Sequence, residues 1–295
     1  MSIAVSQKQQ LTGQGVILVT ALLMSTNGLF IKLLLWHPAV IVCLRSIIAV
    51  LFLLTVRIIS PPPKERNNFS YPFWAAAFAF AGTMFVFVIA NKLTTAANAI
   101  MLQYSAPVWA ALLGWLLIRE KPHWEQWSAL VFIFVGLALI LWNGFGKGSL
   151  LGDFLAVLSG ILFGAQTVFL RMLKDGNPRD SMLLAHVICV IIGIPFLFLH
   201  PPVFTAPAVL SILFMGVFQI GLSSLLFAYG IKIVSALEAL LIDAVEPLLN
   251  PVWVLVITGE KPALIALIGG MIILFVVVAS TIIGMRRDSK AQKNG

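Results

Sequence analysis

Residues 92–122 read KLTTAANAIMLQYSAPVWAALLGWLLIREKP, and residues 232–262 read KIVSALEALLIDAVEPLLNPVWVLVITGEKP. Lys92 answers Lys232, Ala96 answers Ala236, Ala99 answers Ala239 and Pro107 answers Pro247. The closing Glu120-Lys121-Pro122 answers Glu260-Lys261-Pro262, and every pair stands at the same offset of 140. The two stretches are copies of one internal repeat. Each is mostly an apolar run of membrane-crossing length, and doubled membrane bundles commonly enclose a site shared by the two copies.

The duplication extends well beyond these stretches. Gly13, Asn27 and Lys32 near the N-terminus match Gly152, Gln166 and Arg171 at an offset of 139, which divides the chain into halves at 1–147 and 148–295. With 60% apolar and 10% charged residues and a mean hydropathy of +1.03, the chain is a polytopic membrane protein rather than a soluble domain. Windows of about 20 apolar residues, enough to cross roughly 30 Å of hydrocarbon, fit about ten times. The expected spans are 14–34, 38–57, 72–91, 95–118, 124–143, 151–171, 181–200, 208–230, 235–258 and 262–284. The second, third, eighth and tenth open at or next to Pro38, Pro72, Pro207 and Pro262, where a missing amide hydrogen costs a helix nothing. Five spans per half is an odd number, so the second half must enter the membrane from the opposite side. The expected fold is all-α: ten transmembrane helices in two inverted five-helix repeats.

The net charge of +8 follows topology rather than a nucleic-acid partner. With the N-terminus inside, fourteen of the nineteen lysines and arginines fall on inner segments, four on outer ones, and Arg45 within a span. That is the positive-inside bias, and it places both termini in the cytoplasm of a multi-pass inner (cell) membrane protein. Met1 to Gly13 is polar and the following run has no small-residue cleavage pattern, so the first span is expected to be retained. Cys43 and Cys189 both lie in spans and support neither a disulfide framework nor a metal site.

The chemistry gathers in the ninth span, where Asp243, Glu246 and Asn250 recur at i, i+3 and i+7 on one helical face. Asp243 lies ~12 Å and Glu246 ~16 Å from the inner surface. A charge at that depth costs on the order of 3 kcal/mol or more unless it is paired, hydrated or protonated, so a pathway or coupling role outweighs a purely structural pair for Asp243. For Glu246, beside Pro247, the two readings stand level. Glu238 reads instead as part of a capping box with Ser235, matched by Thr95 and Asn98 in the first half. Pro107 and Pro247 would break their helices and free the carbonyls of Gln103 and Asp243, which membrane depth tolerates only beside protein or a watery cavity. By the same count Asn27 and Arg45 lie ~20 Å deep, and Gln103 and Tyr104 ~16–18 Å. Arg45 is the expected counter-ion of Asp243 or Glu246. Gln166 lies nearer the inner side, and Lys32 and Arg171, at span ends, are expected to snorkel.

Several of these residues carry a family likeness. Ser25-Thr26-Asn27-Gly28 with Lys32, then Pro38 and Arg45, then the doubled Ala-rich helix ending in Pro107 to Glu120 and Pro247 to Glu260, resemble the EamA-type transporters of the drug/metabolite transporter superfamily. The resemblance covers nearly the whole chain. It implies ten helices in two inverted repeats, with a central cavity formed largely by the first, third, fourth, sixth, eighth and ninth. It also implies peripheral fifth and tenth helices and carriage of small metabolites, often export of amino acids or their analogues. Asp243 is not a fixed position of that family, so proton coupling through it is a reading of this sequence alone.

The resulting expectation is a secondary carrier, not an enzyme, working by alternating access. Asp243 and Glu246 would take a cationic group or a proton, Arg45 would hold them or meet a substrate carboxylate, and Asn27, Gln103 and Tyr104 would orient the ligand. No H-E-x-x-H or G-x-S-x-G motif occurs, and Gly144 to Ser149 matches a phosphate loop only in composition. No cofactor is expected beyond a coupling proton. The partners are a small-molecule substrate and the lipid bilayer, with a homodimer left open. A channel or small-molecule receptor is the alternative.

Overall fold

The computed structural model describes residues 7–61, 69–94, 96–142 and 149–258, together with 268–269, 271–272, 275–276, 278–280, 282–284 and 286–287. In chain order the helices are α1 (Gln7–Met24), α2 (Asn27–Leu33), α3 (Pro38–Ile59), α4 (Tyr71–Leu93), α5 (Ala96–Gln103), α6 (Ala106–Ile118) and α7 (Trp124–Trp142). The second half continues with α8 (Leu150–Met172), α9 (Pro178–Leu199), α10 (Ala206–Phe214), a π-helical segment (Met215–Leu222), α11 (Ser223–Gly230), α12 (Ala236–Asp243) and α13 (Val245–Thr258). Among the described residues there is no strand. Six stretches are long and apolar enough to cross a bilayer, namely Lys8–Leu33, Pro38–Ile59, Tyr71–Leu93, Leu150–Met172, Pro178–Leu199 and Ala206–Gly230, with Ala106–Ile118 a shorter apolar helix.

Local sequence explains where the helices start. Proline occupies the first turn of α3, α4, α6, α9 and α10, where its missing amide hydrogen leaves no bond unmade. Side-chain caps add to this at His37, Asn177, Thr205 and Ser235. Ser235 accepts the Glu238 amide, as the capping spacing predicts, but the Glu238 carboxylate turns away to accept from Gln14 Nε2 at 2.7 Å. Thr95, the corresponding residue of the first half, and Pro262 lie outside the described residues.

Three of the spans are broken. α5 gives way to α6 at Tyr104-Ser105, just before Pro107, and α12 gives way to α13 at Ala244, just before Pro247. Both breaks fall where the prolines predict them. A third, between α1 and α2 at Ser25-Thr26, has no proline to announce it.

The halves are packed into each other rather than side by side. α4 lies mainly against α8, α1 against α11, α3 against α9 and the π segment, and α6 against α8 and α12. Lipid offers no hydrophobic drive for such contacts, so close van der Waals approach through small residues must supply it. Gly160 and Gly164 of α8 do so at the first-half break. A Cβ on Gly160 would sit 2.6 Å from the Gln103 carbonyl oxygen, and one on Gly164 2.7 Å from that of Ala106. α7 is peripheral: it buries Ala129, Leu130 and Ile133 against its neighbours and leaves Trp124, Val131 and Phe132 exposed. Across the outside of the bundle large apolar side chains stand free, Leu150 at 88% and Phe198 at 82% exposure, as a lipid-facing surface requires.

Each half is fastened by a reciprocal pair of cations. In the first, Lys32 Nζ donates to the Thr94 carbonyl at 2.7 Å and Lys92 Nζ to the Leu34 carbonyl. In the second, Arg171 Nη1 donates to the Ile231 and Lys232 carbonyls, each at 3.0 Å, while Lys232 Nζ donates to the Gly176 carbonyl at 3.0 Å. Lys32 and Arg171 therefore do not snorkel as expected. They cap carbonyls left over at neighbouring helix ends, where the negative end of the helix dipole favours a cation.

Candidate functional site

The two proline breaks meet in the bundle interior. Tyr104, 2% exposed, donates its hydroxyl hydrogen to the Asp243 carbonyl, one of the two carbonyls that the prolines were expected to free. A hydroxyl has one hydrogen, and this bond uses it. Asp243 Oδ2 at 3.4 Å and Glu246 Oε2 at 3.3 Å therefore face lone pairs of the same oxygen. Asp243 and Glu246 are 3% and 4% exposed, and among the described residues neither forms an ion pair. Acceptors gathered around an acceptor call for a donor between them: a proton on one carboxyl, or a bound cationic group.

Arg45 is not that donor. It is fully buried, but its Nη1 goes to Asn27 Oδ1 at 3.1 Å and its Nη2 to Met84 Sδ at 3.3 Å, so the expected pairing with Asp243 or Glu246 is not formed. Counting along helices sets height, whereas rotation about the helix axis decides which neighbour a side chain meets. Asn27, at the start of α2, stands between the guanidinium and the cavity. The flanking Thr26 accepts from Gln219 Nε2 and Ser25 accepts from Trp253 Nε1 at 2.8 Å, so the proline-free break is tied to both the π segment and α13.

These groups surround a narrow cavity, in which the centre of a water-sized sphere has about 50 Å³ to move. Asn27, Gln103, Asp243 and Glu246 line it, four of the expected site residues; Tyr104 is not among the lining residues and reaches the site through its bond to the Asp243 carbonyl. Asn250 lies outside the described side chains. Pro107 and Pro247 make the breaks and are not among the lining residues. Gln166, expected nearer the inner side, lines the cavity too, because the wall runs along the first span from Thr20 to Asn27, about 10 Å at helical rise. Sequence reasoning missed Gln219, Thr83, Ser223 and Ser224, and the aromatic wall of Phe80, Phe87, Phe163 and Phe227. An isolated glutamine in the middle of the eighth apolar run was a usable signal for Gln219. The chain's 21 phenylalanines offer no comparable signal for the wall.

Comparison with known proteins points the same way. The EamA-like transporter family model matches the chain twice, over residues 11–142 and 150–282. An uncharacterized transporter of Archaeoglobus fulgidus is 25% identical over 65% of this chain and 69% of its own length. The uncharacterized transporter YxxF of Bacillus subtilis is 29% identical over 67% of this chain and 64% of its own length, so the match spans about two thirds of these relatives. A crystal structure with 18% sequence identity superposes with a TM-score of 0.76, over 93% of this chain and 98% of the other, which is a likeness of fold.

Proposed function

The chain belongs to the EamA-like transporter family, and from that premise we propose that it is a secondary carrier of small metabolites, amino acids or related amphipathic compounds, that exports them across the cell membrane by alternating access. The single observation behind this reading is the buried cavity whose polar end is made by two helix breaks, one from each copy of the repeat. Ten spans in two inverted five-helix repeats, 1–147 and 148–295, with both termini in the cytoplasm, would carry those breaks to the same depth from opposite sides. Asp243 and Glu246 hold a proton or the cationic part of the substrate, Tyr104 positions the Asp243 backbone, and Arg45 orients Asn27. Rocking of the halves would exchange ties at the two ends of the bundle. Gln14–Glu238 and Arg171–Glu120 close one end, at 2.7 and 2.8 Å, and Thr94–Asp153 at 2.7 Å closes the other.

Counterflow in proteoliposomes tests the carrier. Unlabelled ligand inside should accelerate uptake of the same labelled ligand at least several-fold, which a channel or a receptor would not do. Asp243→Asn should abolish the pH dependence of that exchange; an unchanged pH profile would remove the coupling role from Asp243.

A further inference from the structure

The walls of the cavity specify the charge and hydrogen-bonding character of what enters it. Asp243 Oδ1, Gln166 Oε1 and Gln219 Oε1 are all buried without a partner, and all three residues line the same space. The two glutamines make this more than an acidic cluster, since each comes from a different helix and each leaves an acceptor unpaired. Fewer donors are on offer, and none of them is charged. The hydroxyl hydrogens of Thr20, Thr83 and Ser223 go to backbone carbonyls and Gln219 Nε2 goes to Thr26, which leaves neutral side-chain amides such as those of Asn27 and Gln166. Among the described residues no lysine, arginine or histidine lines the cavity. Arg45, a buried cation nearby, is held by Asn27 and Met84 and is not among the lining residues. Phe80, Phe87, Phe163 and Phe227 complete the wall with apolar area and with ring faces that attract a cation.

From this distribution we infer that the cavity takes a protonated primary amine on an apolar body, and that it disfavours the corresponding α-amino acid. An ammonium brings three N–H donors to three unpaired acceptors and a positive charge to two carboxyls. A zwitterion brings in addition a carboxylate, which would be buried beside Asp243 and Glu246 with no cation to meet it. A quaternary ammonium satisfies the charge but none of the acceptors. The inference rests on the carrier reading above for the identity of the site and narrows its substrate class.

Equilibrium binding of tritiated 2-phenylethylamine to the purified full-length protein, by scintillation proximity, tests it without the complication of membrane leak. Saturable binding is expected, displaced by phenylalanine and by benzyltrimethylammonium only at concentrations at least tenfold higher than unlabelled amine. Gln219→Leu and Gln166→Leu, each checked for a monodisperse gel-filtration profile, should weaken the amine several-fold while leaving benzyltrimethylammonium nearly unchanged. Displacement by phenylalanine at equal or lower concentration, or absence of saturable amine binding, overturns the inference. The two readings fail separately: phenylalanine that binds and undergoes counterflow, with no amine binding, sinks the amine and leaves the carrier. Amine that binds with no counterflow of any bound ligand sinks the carrier and leaves the ligand class.

Discussion

The break at Tyr104-Ser105 and the break at Ala244 occupy the same place in the two copies of the repeat, and they carry different chemistry. The first copy writes Gln103, Tyr104 and Ala106 where the second writes Asp243, Ala244 and Glu246. The backbone device is shared, because proline interrupts a helix in the same way wherever it stands. The side chains have divided the work: the second copy brings both carboxyls, and the first brings the hydroxyl that reaches across to the second copy's buried carbonyl, the one Pro247 cannot donate to. Duplication thus supplied a symmetric pair of openings, and divergence placed charge in one and a donor in the other.

The most direct way to break the comparison is to rewrite the second copy as the first. Asp243→Gln combined with Glu246→Ala should reduce counterflow by about 100-fold or more, within the range of lost transition-state and binding contacts, while the protein still elutes as a folded species. Retention of transport would mean that the carboxyls are structural. Gly160→Ala tests the packing that supports the first break. Its new methyl would press on the Gln103 carbonyl, which is backbone and cannot turn aside, so a loss of about 1–3 kcal/mol is expected. A thermal-shift assay in detergent reads it, and an unchanged midpoint would show that α8 can move away freely.

Tyr104→Phe removes the hydroxyl bond that joins the two breaks among the described residues. Leaving the Asp243 carbonyl buried without its donor should cost about 1–3 kcal/mol in stability or, if water enters, about tenfold in ligand affinity. Should neither change, the link between breaks has no energetic content. The smallest effect is expected at the caps of α3 and α9, where the first copy uses His37 and the second uses Asn177. Burial and the stacked His200 ring, 4.3 Å away, lower the His37 pKa below its ordinary value, so the folded state favours the neutral ring whose Nδ1 accepts the Ala39 amide. Protonation is then easier in the unfolded chain, and the cap's contribution, present above the ordinary histidine pKa, fades as pH falls through that value and below it. Hydrogen exchange at the start of α3 should quicken slightly, relative to α9, as pH is lowered from about 7 to about 5, after correction for the intrinsic pH dependence of exchange. His37→Asn should remove the difference.

Much of this was legible in the sequence. Pro107 and Pro247 announced the breaks because a proline ring interrupts a helix whatever surrounds it, and Asp243 announced the polar centre because buried charge is costly in any fold. Arg45 was misread for a reason specific to helices: depth can be counted from residue number, but azimuth depends on how each helix is rotated in its packing. The break at Ser25-Thr26 was hidden because serine and threonine also sit comfortably inside membrane helices, where their hydroxyls bond to carbonyls of the preceding turn. The π-helical segment has no sequence signature that distinguishes it from α10 and α11 on either side. Gln219 is placed by that segment, and its partner Thr26 by the hidden break, so neither half of the contact was visible alone.

The cation fasteners within each half bear on which parts of the molecule a substitution can separate. Lys32, Lys92, Arg171 and Lys232 reach backbone carbonyl oxygens, which every residue type supplies. Four of the ties between halves, Gln14–Glu238, Thr94–Asp153, Arg171–Glu120 and Arg57–Asp180, depend instead on a side chain at both ends. Either end of such a tie can be rewritten without touching a fastener's acceptor, so sequence change can retune the grip of one half on the other while each half keeps its own clasp.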